Sequence, residues 1–134
     1  MLNTDVPLAV GGRNGASIPF GAFSTSAVQP YSLAAGAWTS ANWLGTARYL
    51  HSIAVLSSGE FMAAGGLLRV GGGMLVTTVL GNAEQYNPIT GTWTETAGML
   101  AARADFTLTP FYMQEVLAVG CGLAGEPSAE FYTP

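Results

Sequence analysis

The stretch "NPITGTWTETAGMLAAR", residues 87–103, decides the architecture because the chain contains a second version of it. Fifty-five positions earlier, residues 32–48 read "SLAAGAWTSANWLGTAR". Gly, Trp, Thr and the closing Ala-Arg occupy the same offsets in both versions. Self-similarity at a fixed period of this length indicates a protein built from stacked copies of one small structural unit.

Other segments of the unit recur at the same period. Three apolar runs ending in Gly lie 54 and 55 positions apart: "PLAVGG" at 7–12, "FMAAGG" at 61–66 and "VLAVGC" at 116–121. Each is followed by a variable segment and then by a short run with a tyrosine, namely "VQPYS", "AEQYNP" or "AEFYTP". One unit is therefore predicted to hold four strands: one after Arg, one ending in Gly-Gly, one with Tyr and one with Trp.

Composition supports an all-β fold. Nearly half of the residues are hydrophobic and only 9% are charged, which is too apolar for a disordered chain. The 18 glycines separate short apolar runs, and "SSG" at 57–59 and "NPITG" at 87–91 are typical of turns between strands. No segment has a convincing 3.6-residue apolar period, so almost no helix is expected.

Taken together, these residues resemble the kelch repeat, and most closely the kelch-like repeats common in bacterial proteins. The resemblance rests on the Gly-Gly pairs, on Glu84 and Glu130 two positions before a tyrosine, on Gly-x-Trp and on Ala-Arg. It implies antiparallel four-stranded blades of a kelch-type β-propeller. Three positions depart from the pattern: Gln29 stands where Glu is expected, Phe106 occupies the position of His51, and Cys121 replaces the second Gly.

The repeated positions are predicted to be structural. A four-stranded sheet is too thin to bury both faces alone, so neighbouring blades must cover each other. Tyr and Trp would supply about 150–250 Å² each at those contacts, and Gly would let the backbone bend near the crowded axis. The positions are Gly11, Gly12, Tyr31, Trp38, Arg48, His51, Gly65, Gly66, Glu84, Tyr86, Trp93, Arg103, Gly120, Glu130 and Tyr132.

The strand inventory predicts a partial propeller of about 2.4 blades over residues 1–134. Residues 1–47 form an incomplete blade that lacks most of its first strand, 48–102 a complete blade, and 103–134 an incomplete blade that lacks its last strand. Two explanations stay open. The chain is a piece of a longer propeller, or it assembles with copies of itself or a partner that cover its open edges.

Charge excludes some classes of partner. The net charge is −4, Lys is absent, and four arginines are scattered singly, so neither nucleic acid nor an anionic membrane surface is expected. Residues 67–80 are too short and too interrupted to span a bilayer. The N-terminus lacks the basic region of a signal peptide. The single Cys121 cannot form a disulfide within the chain, so it does not indicate whether the protein is in an oxidising or a reducing compartment. Bacterial proteins with similar repeats are often secreted, but no signal in this sequence supports or excludes secretion. The localisation therefore stays undetermined.

No catalytic, cofactor-binding or metal-binding residue is predicted. His51 is the only histidine, whereas the copper-radical oxidases among kelch propellers need two histidines and a Tyr–Cys pair. "GCGLAG" at 120–125 matches a dinucleotide-binding pattern but is followed by proline and a β pattern instead of a helix. The carboxylates are spread singly, and Glu84 and Glu130 occupy equivalent repeat positions.

The long segments after the Gly-Gly pairs are the candidate interaction loops, since binding residues concentrate on loops held by a rigid scaffold. The alternative is that these residues only extend a hairpin and cover the blade. The candidate residues are Arg13, Asn14, Ile18, Phe20, Phe23, Leu67, Leu68, Arg69, Met74 and Leu75.

Three functions follow from this reading. The first is a non-catalytic interaction or ligand-binding module with a protein or glycan partner and no cofactor. The second is part of a propeller enzyme, of glycan-active or copper-radical oxidase type, whose catalytic residues lie outside this chain. The third is a structural piece that completes a larger assembly.

Overall fold

A computed structural model of the chain describes residues 6–15, 23–70, 76–120 and 129–134. The predicted positions Ile18, Phe20, Met74, Leu75 and Cys121 lie outside these ranges. The described strands are β1 (Leu8–Val10), β2 (Arg13–Asn14), β3 (Phe23–Ser24), β4 (Val28–Ser32), β5 (Ala37–Trp38), β6 (Ser52–Val55), β7 (Phe61–Ala64), β8 (Leu67–Val70), β9 (Val76–Val79), β10 (Ala83–Asn87), β11 (Thr92–Thr96), β12 (Thr107–Pro110), β13 (Val116–Val119) and β14 (Ala129–Tyr132). Helix in the described ranges is limited to one 3₁₀ turn, Tyr112–Gln114.

The all-β prediction is confirmed, and the strands form several small antiparallel sheets. The first sheet has the order β1-β4-β5, the second β11-β10-β7-β6 and the third β12-β13-β14. Two separate hairpins, β2-β3 and β8-β9, follow the first and second Gly-Gly pairs. The division of the chain at residues 47 and 102 stays a prediction.

The predicted strands and turns fall where the repeat places them. The "VQPYS" run forms β4. In the other two units the tyrosine runs form β10, with the sequence "AEQYN", and β14, with the sequence "AEFY". The "SSG" segment joins β6 to β7, and 88–91 turns the chain from β10 to β11. Tyr31 lies opposite Trp38 and Tyr86 opposite Trp93, with ring centroids 5.3 and 5.1 Å apart. Equivalent residues therefore occupy equivalent registers in the first and second sheets.

Side chains of the second sheet point alternately to its two neighbours, as the two-residue period of a strand requires. Ala63 and Trp93 face the first sheet and pack with a cluster of Val10, Val28 and Leu44. On the other face, a larger cluster joins the second sheet to the third. Its members are Ala54, Leu56, Met62, Ala64, Ala83, Met99, Phe106, Leu108, Val116, Ala118 and Tyr132. The second sheet is thus covered on both sides.

The two repeated tryptophans differ in burial although their registers match. Trp93 is half-buried against the first sheet, as expected of a residue between stacked sheets. Trp38 is 51% exposed, so the expectation that it buries a large area is wrong for this chain as it stands. The reason is positional, because no sheet in the described residues precedes the first one.

A buried arginine connects the second sheet to the chain segment that links the first sheet to the second. The Arg48 side chain is fully buried and its guanidinium lies 2.8 Å from the Glu84 carboxylate. Arg48 also donates a hydrogen bond to the Gly65 carbonyl at 2.9 Å. The same carboxylate accepts hydrogen bonds from the backbone amides of Gly45 and Thr46. We call this set of contacts an arginine junction.

The junction recurs one unit later with the same atoms in the same roles. Arg103 lies 3.0 Å from the Glu130 carboxylate and donates to the Gly120 carbonyl at 3.0 Å. Glu130 accepts hydrogen bonds from the amides of Leu100 and Ala101. Charge-assisted hydrogen bonds therefore join consecutive sheets at Arg48 and at Arg103.

The first glycine of each Gly-Gly pair, Gly11 or Gly65, is required by the close approach of the junction backbone. Gly65 has φ +62°, and a Cβ there would lie 2.6 Å from the Arg103 carbonyl oxygen and 2.7 Å from the Phe106 ring. The next amide, of Gly66, donates to that carbonyl at 2.7 Å. Any side chain at Gly65 would separate the sheets, which explains why the repeat keeps glycine there.

The junction predicts that neutralising two neighbouring carboxylates, Glu84 and Glu95, has very different effects on the free energy of unfolding. Glu84→Gln removes the charge that compensates the buried Arg48 and should lower the free energy of unfolding by about 3–5 kcal/mol. Glu95→Gln changes an exposed residue opposite Glu84 on β11 and should alter it by less than about 0.5 kcal/mol. Urea unfolding followed by circular dichroism measures both values. Equal effects of the two substitutions would contradict the role assigned to the junction.

Candidate functional site

The described candidate loop residues lie on two neighbouring hairpins, which together form one part of the protein surface. Hairpin β8-β9 lies beside hairpin β2-β3, so the two segments that follow the Gly-Gly pairs are neighbours. The Ser24 hydroxyl ties them, since it accepts a hydrogen bond from the Arg69 amide at 2.9 Å and donates one to the Arg69 carbonyl at 3.1 Å. A polar side chain that satisfies both backbone groups of a residue 45 positions away fixes the relative position of the hairpins.

Tyr49 joins this surface to the scaffold. Its amide and carbonyl exchange hydrogen bonds with Leu67, at 3.0 and 2.7 Å, where β8 begins. The Arg13 guanidinium lies 6.0 Å from the centroid of the Tyr49 ring. Sequence reasoning missed Tyr49 because the equivalent position of the next unit is Ala104, so the repeat gave no signal there. We call Arg13, Asn14, Phe23, Tyr49, Leu67, Leu68 and Arg69 the hairpin platform.

The platform concentrates the positive charge of an acidic chain. Arg48 and Arg103 are buried in the arginine junctions, whereas Arg13 and Arg69, the other two arginines, both belong to the platform. Neither Arg13 nor Arg69 makes an ion pair within the described ranges. Nε of Arg69 is buried and has no hydrogen-bond partner among the residues that the structure describes. The platform is suited to accept an anionic group beside apolar contacts.

His51 lies at the base of this surface and is neutral at physiological pH. Burial lowers the pKa of His51 to about 4, the nearby Arg48 charge acts in the same direction, and a hydrogen bond with the Val10 backbone opposes both. A Cβ on Gly11 would lie 2.9 Å from the imidazole, just as one on Gly65 would meet Phe106. His51 and Phe106 therefore fill the same space, which favours the predicted structural role of His51.

A cleft of about 310 Å³ opens where the first sheet meets the second. It is lined by Trp43, Trp93, Gly45, Thr46, Glu84 and Glu95. Trp43 is exposed and was not singled out in the sequence, because the equivalent position of the next unit is Gly98. Aromatic rings beside a carboxylate can bind a sugar ring or a cation. However, the Glu84 carboxylate is already engaged in the arginine junction, which leaves Glu95 as the exposed acid of the cleft.

Other classes of site have a limited basis in the described ranges. No group of three His, Cys, Asp or Glu side chains there is arranged to hold a metal ion. None of the helical structure in those ranges is long and apolar enough to cross a membrane. The Tyr132 hydroxyl donates to the Ala97 carbonyl, and burial raises the pKa of this tyrosine to about 12, so it stays protonated at physiological pH.

Comparison with known proteins gives information on the fold. No protein-family model and no curated protein sequence matches the chain. Among solved structures, 105 chains are similar, and one of them is described as "Structure of YjhT". The match has a TM-score of 0.66 at 10% sequence identity and covers 93% of this chain. It covers 47% of the other chain, so this chain spans about half the length of that structure.

The neutral His51 predicts a pH dependence with a defined sign. Its folded pKa lies below the unfolded value of 6.5, so the unfolded chain binds a proton first as the pH falls. The associated stability is present above pH 6.5 and is lost as the pH falls from 6.5 to about 4, on the order of 3 kcal/mol in total.

His51→Phe copies the residue found at position 106 and removes this component. Urea unfolding of both proteins at a series of pH values measures it. The free energy of unfolding of the variant should decline less steeply between pH 6.5 and 4 than that of the parent protein. Parallel curves for the two proteins would mean that His51 is protonated equally in the folded and unfolded states.

Proposed function

We propose that the chain is a non-catalytic kelch-type repeat module that binds an extended acidic segment of a partner protein through the hairpin platform. The observation that carries the proposal is that the two Gly-Gly hairpins lie side by side and that each carries one arginine without an ion pair within the described ranges, Arg13 or Arg69. The scaffold beneath it, with its arginine junctions and matched Tyr–Trp registers, supports a kelch-type arrangement of blades.

The chemistry of the platform favours an acidic partner with apolar side chains. Arg13 is exposed and Arg69 is partly exposed, so both guanidinium groups can meet carboxylates. Phe23, Leu67 and Leu68 are half-buried and offer apolar surface on the same two hairpins. The whole chain is acidic, with a net charge of −4 even though it includes these two arginines, so its surface elsewhere would repel such a partner.

The backbone at the edge of the platform favours an extended segment. Within the described ranges β9 pairs only with β8, and Val76, Thr77 and Thr78 of β9 are exposed. An unpaired strand edge can add a strand from another chain through main-chain hydrogen bonds. The acidic side chains of that strand would then supply the specificity. The platform is favoured over the cleft beside Trp43 because, among the described residues, it presents two arginines without an ion pair and a strand edge that pairs with no further strand.

The second function stays a separate proposal. A propeller enzyme with catalytic residues outside this chain would use the module as scaffold, and its platform would be free to bind a protein as well. The third function, a structural piece of a larger assembly, requires contacts through the sheet faces and not through the platform.

Binding of a synthetic peptide tests the platform. The probe is a fluorescein-labelled peptide of alternating Glu and Leu, and the reference peptide alternates Lys and Leu. Fluorescence anisotropy should show binding of the acidic peptide that weakens with added salt, and no binding of the basic one. Arg13→Gln should weaken binding about fivefold, which corresponds to about 1 kcal/mol for an exposed charge pair.

Glu95→Gln is the matched control, because it also neutralises one exposed charge but lies on β11, away from the platform. It should leave the affinity unchanged. Equal affinity of the parent protein and Arg13→Gln for the acidic peptide, with folding intact by circular dichroism, would overturn the proposal. Equal binding of the acidic and basic peptides would do the same.

A further inference from the structure

The two outer sheets each leave one face uncovered within the described ranges. On the first sheet the free face carries Ala9, Gln29, Tyr31 and Trp38. On the third sheet it carries Leu117, Val119, Ala129 and Phe131. These residues alternate along their strands with the ones that pack inward, which places them on the outer side. We call the two surfaces the leading face and the trailing face.

Exposure of these faces is high for apolar side chains. Trp38 is 51% exposed, Val119 40% and Phe131 58%. The Phe131 ring also packs against Phe111, itself exposed, with centroids 5.4 Å apart. Contiguous exposed aromatic and aliphatic residues are typical of a surface that another protein covers.

The chain itself shows what covers each face. One unit away, Ala63 and Trp93 occupy the positions of Ala9 and Trp38, and they pack against the preceding sheet. Met62 and Ala64 occupy the positions of Leu117 and Val119 and are fully buried against the following sheet.

Inside the chain, the trailing side of one sheet therefore always meets the leading side of the next. The two free faces are the two halves of this same contact. A trailing face on one molecule can therefore pack on a leading face of another molecule in the way that consecutive sheets pack inside the chain.

Gln29 distinguishes the contact outside the chain from the contacts inside it. The equivalent Glu84 and Glu130 each receive a buried arginine from the segment that links their sheet to the preceding one. An amide at position 29 needs no such cation, and Gln29 is exposed. The first sheet is thus suited to a neighbour that is not connected to it by an Ala-Arg linker, which is the case for a sheet of a separate molecule.

We propose that a second copy of this chain covers both free faces, with the trailing face of each copy on the leading face of the other. Such head-to-tail contacts form a closed ring when the rotation between copies returns to the start. Two copies fit the length of the similar fold, because this chain covers 47% of that structure. A recess of about 390 Å³ lies beside Tyr31 and is lined by Val6, Pro30 and Leu33 among others.

The mass of the intact chain in solution is the first test. Analytical ultracentrifugation of the protein should show a species of twice the 13.8 kDa mass of one chain. A single-chain mass at every accessible concentration would overturn the proposal. A mass that grows with concentration beyond two chains would also overturn it, since it would indicate an open filament instead of a closed pair.

Two variants test the faces. Ala9→Arg blocks the leading face and Phe131→Arg the trailing face, and both alter exposed residues of the single chain. Each should raise the dissociation constant of the pair at least about 100-fold, because an unpaired charge would be buried in the contact. Ile89→Arg, at an exposed turn residue outside both faces, is the control and should leave the pair intact. Val119→Arg replaces Phe131→Arg if circular dichroism shows that the latter is unfolded.

Mixing the two variants separates this contact from any other self-association. Ala9→Arg retains an intact trailing face, and Phe131→Arg retains an intact leading face. Their mixture should therefore form a two-chain species that neither forms alone. If the mixture stays single-chain, or if either variant alone pairs like the parent protein, the second copy does not bind as proposed. Binding of the acidic peptide by Ala9→Arg is unaffected by this outcome, so the platform is tested separately.

Discussion

The arginine junction is the interaction on which the rest of the structure depends. A buried guanidinium can exist only where a carboxylate and carbonyl groups replace its water, and Arg48 finds Glu84 and the Gly65 carbonyl for this purpose. Those partners lie on the sheet that follows the linker, so satisfying the charge fixes the distance between sheets. The glycine requirement follows from the same constraint, because the backbone that carries the arginine must pass within contact distance of the Gly-Gly turn.

The junction also determines where the hairpins begin. The segment after Arg48 runs directly into Tyr49, whose backbone pairs with Leu67 at the base of a hairpin. The hairpins therefore start beside a part of the molecule that several buried hydrogen bonds hold in place. This arrangement suits a binding surface, since a rigid base lowers the entropy lost when a partner orders the residues it touches. Arg48 and Arg103 are buried and paired with glutamates, so the exposed positive charge of the chain is left to Arg13 and Arg69 on the two hairpins.

The repeat made most of the fold predictable from sequence. Strand positions, turns at 57–59 and 87–91 and the pairing of Tyr with Trp all follow from residues that recur at a fixed period. The exposure of Trp38 could not be predicted. A repeat indicates which residue type fits a position, but it does not indicate whether another sheet covers that position. The Arg48–Glu84 contact was equally hidden: both residues were marked as structural, but their proximity depends on the stacking of two sheets.

The candidate site was predictable in its parts and not in its assembly. Arg13, Phe23 and Arg69 were identified because their segments interrupt the repeat. Their meeting depends on Ser24, an unremarkable residue in sequence, which hydrogen-bonds the backbone of Arg69. Tyr49 and Trp43 gave no signal, since the next unit replaces them with small residues. Contacts between variable segments leave no periodic trace, and only tertiary structure reveals them.

The same reasoning connects the interior to the ends of the molecule. His51 and Phe106 fill one space beside equivalent glycines, so the site tolerates a neutral ring of either kind but disfavours a charged one. Gln29 follows this logic at the leading face, where an uncompensated carboxylate would be the costly choice and an amide is not. At both positions the residue present carries no charge that its surroundings would leave without a partner. The departure at Gln29 is therefore informative, because this exposed residue lies on a face that no other sheet covers among the described residues.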